Sequence, residues 1–380
     1  MIKVKANENL AAMNTDYIFS ETARIIADYD RRHPDKPSVR LGIGDATLPI
    51  AECVARAMSE AALELWHKNC GYQPENGRKR LRELIAQSYV RMGCSVSTNE
   101  VYVSDGAKSD LGNLFDILGK VTVVMQKPYY PAYFDGAVMR GLECIFIRSD
   151  VTNNFIPDPD EADIKEPSVI ILNSPNNPTG VVYPREILKK WVALALNTGS
   201  LIIFDAAYSS FVESGIRSIY EVQNAERCSI EVCSLSKNAG FTGLRCGWSV
   251  IPDGLEIEVG DGKTRKIGEM WLRRQSVRFN GVSYITMRGA EAAMSEEGLK
   301  YSSICIRTYK SKAKKLRNEL DLRGISHAGG EESPYIWAEI PSELGMTSWE
   351  FFLYLLEKQG IAVTPGAGFG DDGRVRLSSF

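Results

Sequence analysis

The sequence predicts an α/β fold: a large domain built on a wound, mostly parallel sheet, followed by a smaller α+β domain. Three observations carry this expectation. Between Glu100 and Val250 short β-branched runs alternate with stretches of helical period. The runs are apolar nearly throughout rather than at every second residue, the pattern of strands covered by helices on both faces. Beyond Pro252 the alternation gives way to long helices with a few short strands, as in a separate α+β unit. At 380 residues the chain also exceeds the size at which one core keeps growing, so two domains are expected.

Taken in order, Met1–Ser38 supplies a mobile start and then a helix near Ser20–Arg32, and Arg78–Arg91 reads as an amphipathic helix. The strands of the large sheet are Val101–Ser104, Val121–Gln126, Cys144–Arg148, Ser168–Leu172, Leu201–Asp205, Glu231–Leu235 and Cys246–Val250, and their carboxyl ends should carry the ligand site. Pro252–Thr264, rich in Gly, Asp and Glu, reads as a surface loop near the hinge between the domains. The small domain follows with a helix over Glu297–Arg323, a strand over Pro334–Ile340, a helix over Ser348–Gln359 and short strands at Ile361–Thr364 and Arg374–Ser378. The division drawn is residues 1–40 for an N-terminal arm and part of the small domain, 41–270 for the large domain and 271–380 for the small one. Neither repeats nor low-complexity segments interrupt it.

Composition narrows the function classes. An apolar fraction of 44% and a charged fraction of 24% are ordinary globular values, and a net charge of −3 makes no electrostatic case for nucleic acid. Eight cysteines are scattered without C-x-x-C spacing, and the amino terminus has no apolar signal core, so reduced thiols in a cytoplasm are expected. No apolar stretch approaches the roughly 20 residues of a membrane helix. His33, His67 and His327 form no ligand array, so no metal is expected.

The richest segment is Cys233-Ser234-Leu235-Ser236-Lys237-Asn238-Ala239-Gly240-Phe241-Thr242-Gly243-Leu244-Arg245-Cys246-Gly247. A lysine amine can form a Schiff base with a carbonyl cofactor, while hydroxyls, backbone N–H groups and a guanidinium hold a phosphate dianion nearby. Pyridoxal phosphate meets both demands; a strand end running into a glycine loop with a solvated lysine is the competing reading. Four other strand ends offer what such a cofactor needs. Ser104-Asp105-Gly106-Ala107-Lys108 opens a helix whose N–H groups can bind phosphate, or is an ordinary Asp-Gly turn. Pro128-Tyr129-Tyr130-Pro131 offers Tyr130 for stacking on a flat heteroaromatic ring, or is a rigid loop with core tyrosines. Asn173-Ser174-Pro175-Asn176-Asn177-Pro178-Thr179-Gly180 offers an amide N–H to a phenolate oxygen, or is an Asn-Pro turn. Phe204-Asp205-Ala206-Ala207-Tyr208 offers a carboxylate to a pyridinium nitrogen, unless Asp205 caps the next helix.

The ordered set Tyr130, Asn177-Pro178-Thr179-Gly180, Asp205-Ala206-Ala207-Tyr208, Ser236-Lys237 and Arg245, completed by Arg376 in Val375-Arg376-Leu377-Ser378, resembles the fold-type I pyridoxal-phosphate-dependent aminotransferases over essentially the whole chain. The resemblance implies that Lys237 is the Schiff-base lysine, that Asp205 and Tyr208 tune the ring, and that Arg376 pairs with the substrate α-carboxylate. A narrower resemblance rests on Tyr17-Ile18-Phe19-Ser20-Glu21, Leu41-Gly42-Ile43-Gly44-Asp45, Ser104-Asp105-Gly106-Ala107-Lys108, Phe241-Thr242-Gly243 and Phe279-Asn280-Gly281-Val282-Ser283-Tyr284. These segments are similar to those of family members that exchange an amino group between LL-2,6-diaminopimelate and 2-oxoglutarate in lysine biosynthesis. The likeness implies that Tyr17, Gly44, Lys108, Asn280 and Arg376 contact substrate, with Tyr130 and Asn177 beside them, and that Ala107, Lys108, Ser234, Ser236 and Arg245 hold the cofactor. It also implies a homodimer in which Tyr72 and Glu75 reach into the neighbouring subunit's site, Glu75 facing a distal ammonium.

The chain departs from the family pattern at Lys127, where Asp-Pro is usual, and at Gln73, where Gly is. It also reaches Phe380 directly after the Arg376 strand, where relatives run on into a closing helix: either the small domain or the sequence is trimmed, and a missing helix would loosen the Arg376 strand. Two alternatives stand beside the main reading: a related aminotransferase for a basic or aromatic amino acid, or a pyridoxal-phosphate-binding homologue with weakened turnover.

Overall fold

The computed structural model describes residues 2–13 and 17–380. Helices α1 (Ile18–Arg32), α2 (Glu52–His67) and α3 (Lys79–Arg91) precede the main sheet. Its strands are β1 (Val101–Ser104), β2 (Thr122–Lys127), β3 (Cys144–Arg148), β4 (Ser168–Asn173), β5 (Leu201–Asp205), β6 (Ser229–Ser234) and β7 (Gly247–Val250). Between them run α4 (Ala107–Leu114), α5 (Pro131–Met139) and α6 (Arg185–Thr198); α7 (Ile267–Arg278) and α8 (Tyr284–Ala293) follow. The sheet order is β1-β7-β6-β5-β4-β2-β3, and β7 alone runs against its neighbours, so the sheet is mixed but mostly parallel as expected.

Every residue of β1, β4, β6 and β7 is buried, which is why these strands read as continuous apolar runs rather than alternations. One sheet face packs on α3, α6 and α8 through Leu84, Ile85, Trp191 and Met287. The other packs on α4, α5 and α7 through Leu111, Leu114, Tyr133 and Trp271. Helices α7 and α8 thus share the large domain's core, although a division at 271 assigns nearly all of them to the small domain. At Gly289 an added Cβ would lie 2.6 Å from the Met58 side chain, so the glycine lets α8 approach α2 this closely.

The small domain joins α9 (Glu296–Leu322) and α10 (Ser348–Gln359) to a sheet of β8 (His327–Gly329), β9 (Tyr335–Glu339), β10 (Thr364–Pro365) and β11 (Arg374–Ser378), in the order β8-β9-β11-β10. Its core holds Tyr29 of α1 with Ile336, Phe352, Leu356 and Val375, so the chain's start and end meet in one unit. Three expectations change here. Glu256–Gly260 and Lys263–Lys266 form an antiparallel hairpin rather than a loop, its turn made by Asp261 and Gly262 at φ of 52° and 69°. Ile361–Ala362 pairs in parallel with Val39–Arg40 while Thr364–Pro365 joins β11, so the single strand expected at 361–364 is two short ones. The arm contains a short helix at Glu8–Ala12, whose first amides bond to the Asn7 side chain.

Candidate active site

The carboxyl ends of β1, β4, β5 and β6 open into one cavity of about 600 Å³, closed on the far side by α1, the Gly42–Asp45 segment and β11. Ala107, Lys108, Tyr130, Asn177, Asp205, Tyr208, Ser234, Ser236, Lys237, Arg245, Gly44 and Arg376 all line it. Residues from seven separate stretches of sequence therefore face a common space.

Lys237 follows β6 directly and donates a hydrogen bond to the carbonyl of Gly44. Asp205 ends β5 and is buried. Its Oδ2 accepts from the Tyr133 hydroxyl at 2.6 Å and its Oδ1 from the Ala207 amide at 2.9 Å. Burial pushes the Asp205 carboxyl up, against the pull of these two bonds, so a cation beside it would favour the charged form. Asn177 is set by its own amide, which bonds Asn173 Oδ1 at 2.7 Å. Its Oδ1 accepts from Arg376 at 2.8 Å, and its Nδ2 donates to no group among the described residues. Tyr208 shares a hydrogen bond of 2.9 Å with Tyr335, and burial drives its hydroxyl well above the usual range.

Arg376 is 1% exposed. It donates to Asn177, to the Gly42 carbonyl at 2.9 Å and to Thr364 Oγ1 at 3.4 Å, while its Nε has no partner among the described residues. Tyr335 lies 4.3 Å from the guanidinium carbon, and Phe369 and Phe19 cover other sides. A guanidinium with unspent N–H groups in an aromatic box has the donors to bind a carboxylate in two-point fashion. β11 is bonded along both edges, to β9 and to β10, and Phe380 beyond it packs 4.9 Å from Tyr309, so in this structure the Arg376 strand is held firmly rather than loosely.

At the other end of the cavity Ser234 donates to Ser236 Oγ at 2.8 Å and accepts from the Ser236 amide at 3.0 Å. Arg245 is anchored by the Thr242 carbonyl at 3.0 Å. Gly106, at φ 130°, is the one residue type that fits: a Cβ there would lie 2.4 Å from Arg245 Nη2. With the first amides of α4 these groups form a cup rich in N–H and O–H groups that can donate, as a phosphate dianion requires. Lysine, carboxylate, amide and donor cup together suit pyridoxal phosphate in type and order.

Lys108 stands at the rim, its ammonium 3.3 Å from the Tyr17 hydroxyl. Burial pulls the Lys108 ammonium down from its ordinary range and pushes Tyr17 up to about 12. Tyr72, Glu75 and Asn280 do not line the cavity. Tyr72 is 89% exposed, and Asn280 precedes Gly281, whose added Cβ would lie 2.9 Å from the Pro74 carbonyl. Asn280 therefore stands beside the Gln73-Pro74-Glu75 turn, outside the lining of its own chain's cavity. The sequence reading missed Tyr335, Tyr133, Asn173 and Thr364. Asn173 opens the Asn173–Gly180 motif and Tyr133 follows Pro131 by two residues, whereas Tyr335 enters from a small-domain strand with no local signal.

Residues 36–379 match the family model of aminotransferase class I and II, and the chain belongs to that family. It is 40% identical to an LL-diaminopimelate aminotransferase of Prochlorococcus marinus subsp. pastoris and 41% identical to one from Prochlorococcus marinus strain NATL2A, each match covering 99% of this chain and 96% of the relative. Among solved structures, L,L-diaminopimelate aminotransferase from Chlamydomonas reinhardtii superposes with a TM-score of 0.92 at 35% identity, covering 100% of this chain and 95% of that one. A Thermus thermophilus aspartate aminotransferase variant at 24% identity shares the fold with a TM-score of 0.87. Among the described residues, no helix is long and apolar enough to cross a membrane and no cluster of three or more metal-ligating side chains occurs.

Proposed function

We propose that this aminotransferase holds pyridoxal phosphate in the cavity and exchanges an amino group between LL-2,6-diaminopimelate and 2-oxoglutarate. The observation that carries the reaction is the meeting of Lys237, Asp205 and Arg376 in one closed space. Support for the substrate comes from relatives of about 40% identity over 99% of the chain that bear this activity in their names.

When bound, the cofactor supplies an electron sink for a bond at the substrate's α-carbon. Ala107, Ser234, Ser236 and Arg245 hold its phosphate. Asp205 keeps the ring nitrogen protonated, with Tyr133 fixing the carboxyl in place. Asn177 and Tyr208 serve the ring oxygen, and Tyr130 packs on the ring. Arg376 binds the α-carboxylate and so fixes the orientation of the Cα–H bond. Lys237 would act as the base and acid that moves the proton at Cα, which its position just beyond the end of a rigid strand suits.

The far end of the substrate falls to Lys108 and Tyr17 at the rim and to Tyr72, Glu75 and Asn280 of a second subunit. Support for a homodimer is that Tyr72 and Asn280 are exposed and that none of the three lines its own chain's cavity. The composition fits a cytoplasmic enzyme. The test is a panel of amino donors with 2-oxoglutarate, read as glutamate formed: LL-diaminopimelate should exceed lysine, tyrosine and aspartate in kcat/KM, and a preference for a basic or aromatic donor would replace the substrate reading.

A further inference from the structure

Beneath the phosphate cup lies a second carboxyl that the reaction does not use. Asp110 sits in α4, three residues beyond Ala107, and is 0% exposed. Its Oδ2 accepts two hydroxyl hydrogen bonds, from Ser104 at 2.8 Å and from Ser249 at 2.7 Å. Its Oδ1 has no partner among the described residues. A buried carboxylate oxygen with no donor is costly, whereas the neutral acid avoids burying a charge. The same Ser104 hydroxyl that bonds Asp110 accepts from the Gly106 amide at 3.3 Å, so the carboxyl connects by one hydroxyl to the backbone that forms the cup's floor.

The charged groups around it favour the neutral form. Asp105 repels a charge on Asp110, and the Cys246 thiol nearby is uncharged. Arg274 attracts it weakly from α7, but its guanidinium is engaged by Asp116 and Asn113. Arg245 lies against Gly106, on the cup itself, and would be neutralised by a bound dianion. Burial pushes the Asp110 carboxyl up to about 7, against the two serine bonds, which leaves it poised between forms.

We propose that Asp110 is the proton store of the phosphate cup: its carboxyl is neutral beneath an occupied cup and ionises when the cup empties. Two negative charges placed on the far side of Gly106 stabilise the protonated acid, so binding of the dianion and binding of the proton reinforce each other. The sign follows. Below the free carboxyl's pKa the proton is already present and binding is unaffected. Above it, binding must draw a proton from solvent, and affinity falls as pH rises. Asp110 is thus a positioning residue whose protonation decides how firmly the cofactor is held. The inference rests on the cup being the cofactor's phosphate site.

The test titrates the apoprotein with pyridoxal 5′-phosphate and with inorganic phosphate, which forms no bond to Lys237, between about pH 6 and about pH 8.5. Asp110→Asn keeps an oxygen for the serines but carries no exchangeable charge. The phosphate's own ionisation is common to both proteins and cancels in the ratio of their dissociation constants. The ratio of wild type to Asp110→Asn should rise about three- to tenfold across this range for both probes, with calorimetry in two buffers showing extra proton uptake by the wild type. A ratio flat within about twofold, or equal proton uptake, overturns the proposal while leaving the cup intact. Failure of both probes to bind overturns the cup and the proposal together. Should the Asn variant not fold, Ser249→Ala removes one donor to the carboxylate and should move the loss of affinity to higher pH; an unmoved profile counts against Asp110.

Discussion

Arg376 and Asn177, 199 positions apart, are joined by a hydrogen bond of 2.8 Å from guanidinium Nη1 to amide Oδ1. The bond ties the proposed substrate clamp on the small domain to the proposed ring-oxygen contact on the large one, and orients the Asn177 amide with its N–H₂ end away from Arg376. Replacing the fork by a point charge removes both functions. Arg376→Lys should lower kcat/KM about 100-fold, roughly 2.7 kcal/mol, through a raised KM as well as a reduced kcat. Steady-state kinetics on LL-diaminopimelate checks this, and an unchanged KM would exclude Arg376 as the clamp.

Asp205 lines the cavity from the end of a central strand, and Tyr133 holds its Oδ2. Asp205→Asn should retain bound cofactor yet lose about two orders of magnitude or more in kcat, since the amide does not stabilise a protonated ring nitrogen. Tyr133→Phe, which leaves the carboxyl with one donor fewer, should cost about 1–2 kcal/mol in kcat by the same route. Rapid-quench single turnovers separate these losses from product release.

If Glu75 acts across the subunit interface, mixed dimers report it. Lys237→Ala and Glu75→Gln homodimers should each turn over diaminopimelate poorly. When subunits are mixed and exchanged, one site of the hybrid holds both native residues, and activity should recover to about a quarter of wild type by statistical pairing of equal subunits. No recovery would place Glu75 in its own chain's site or outside catalysis.

Glu64 joins α2 to α8. Lys68 at 2.7 Å, then the Tyr284 hydroxyl and Arg288 at 2.7 Å, hold its carboxyl well below the ordinary range, at about 2. Because the folded value is the lower one, the stability it contributes is present above the ordinary carboxyl pKa and is lost as pH falls from there toward 2. Glu64→Gln should therefore flatten the acid limb of thermal stability between about pH 5 and about pH 3, where the wild-type Tm falls. Parallel Tm profiles for the two proteins would remove Glu64 from the acid response.

The strands of the large sheet were legible because β1, β4 and β6 are buried on both faces and so leave uninterrupted apolar runs. Their ends were legible for the same reason: Asp205, Asn177 and Lys237 follow directly where such runs stop. Tyr335 and Thr364 were hidden because they reach the cavity only through the pairing of β9, β10 and β11, a non-local fact without a sequence period. The hairpin at Glu256–Lys266 was misread because its outer residues are charged on both faces, and only Asp261-Gly262 marked the turn. Asn280 was placed at a substrate by likeness alone; its left-handed backbone beside the Pro74 turn sets it on the outside of the chain.

The central claim is that Lys237 moves a proton at the α-carbon of diaminopimelate within a cavity that holds pyridoxal phosphate. The visible absorption of the cofactor-loaded protein, followed while LL-diaminopimelate and then 2-oxoglutarate are added, tests it most directly. The band should bleach with the amino donor and return with the keto acid in the wild type, and the Lys237→Ala protein should bind cofactor without completing either change. A wild-type spectrum that does not respond to LL-diaminopimelate, or a Lys237→Ala protein that cycles as the wild type does, would contradict it.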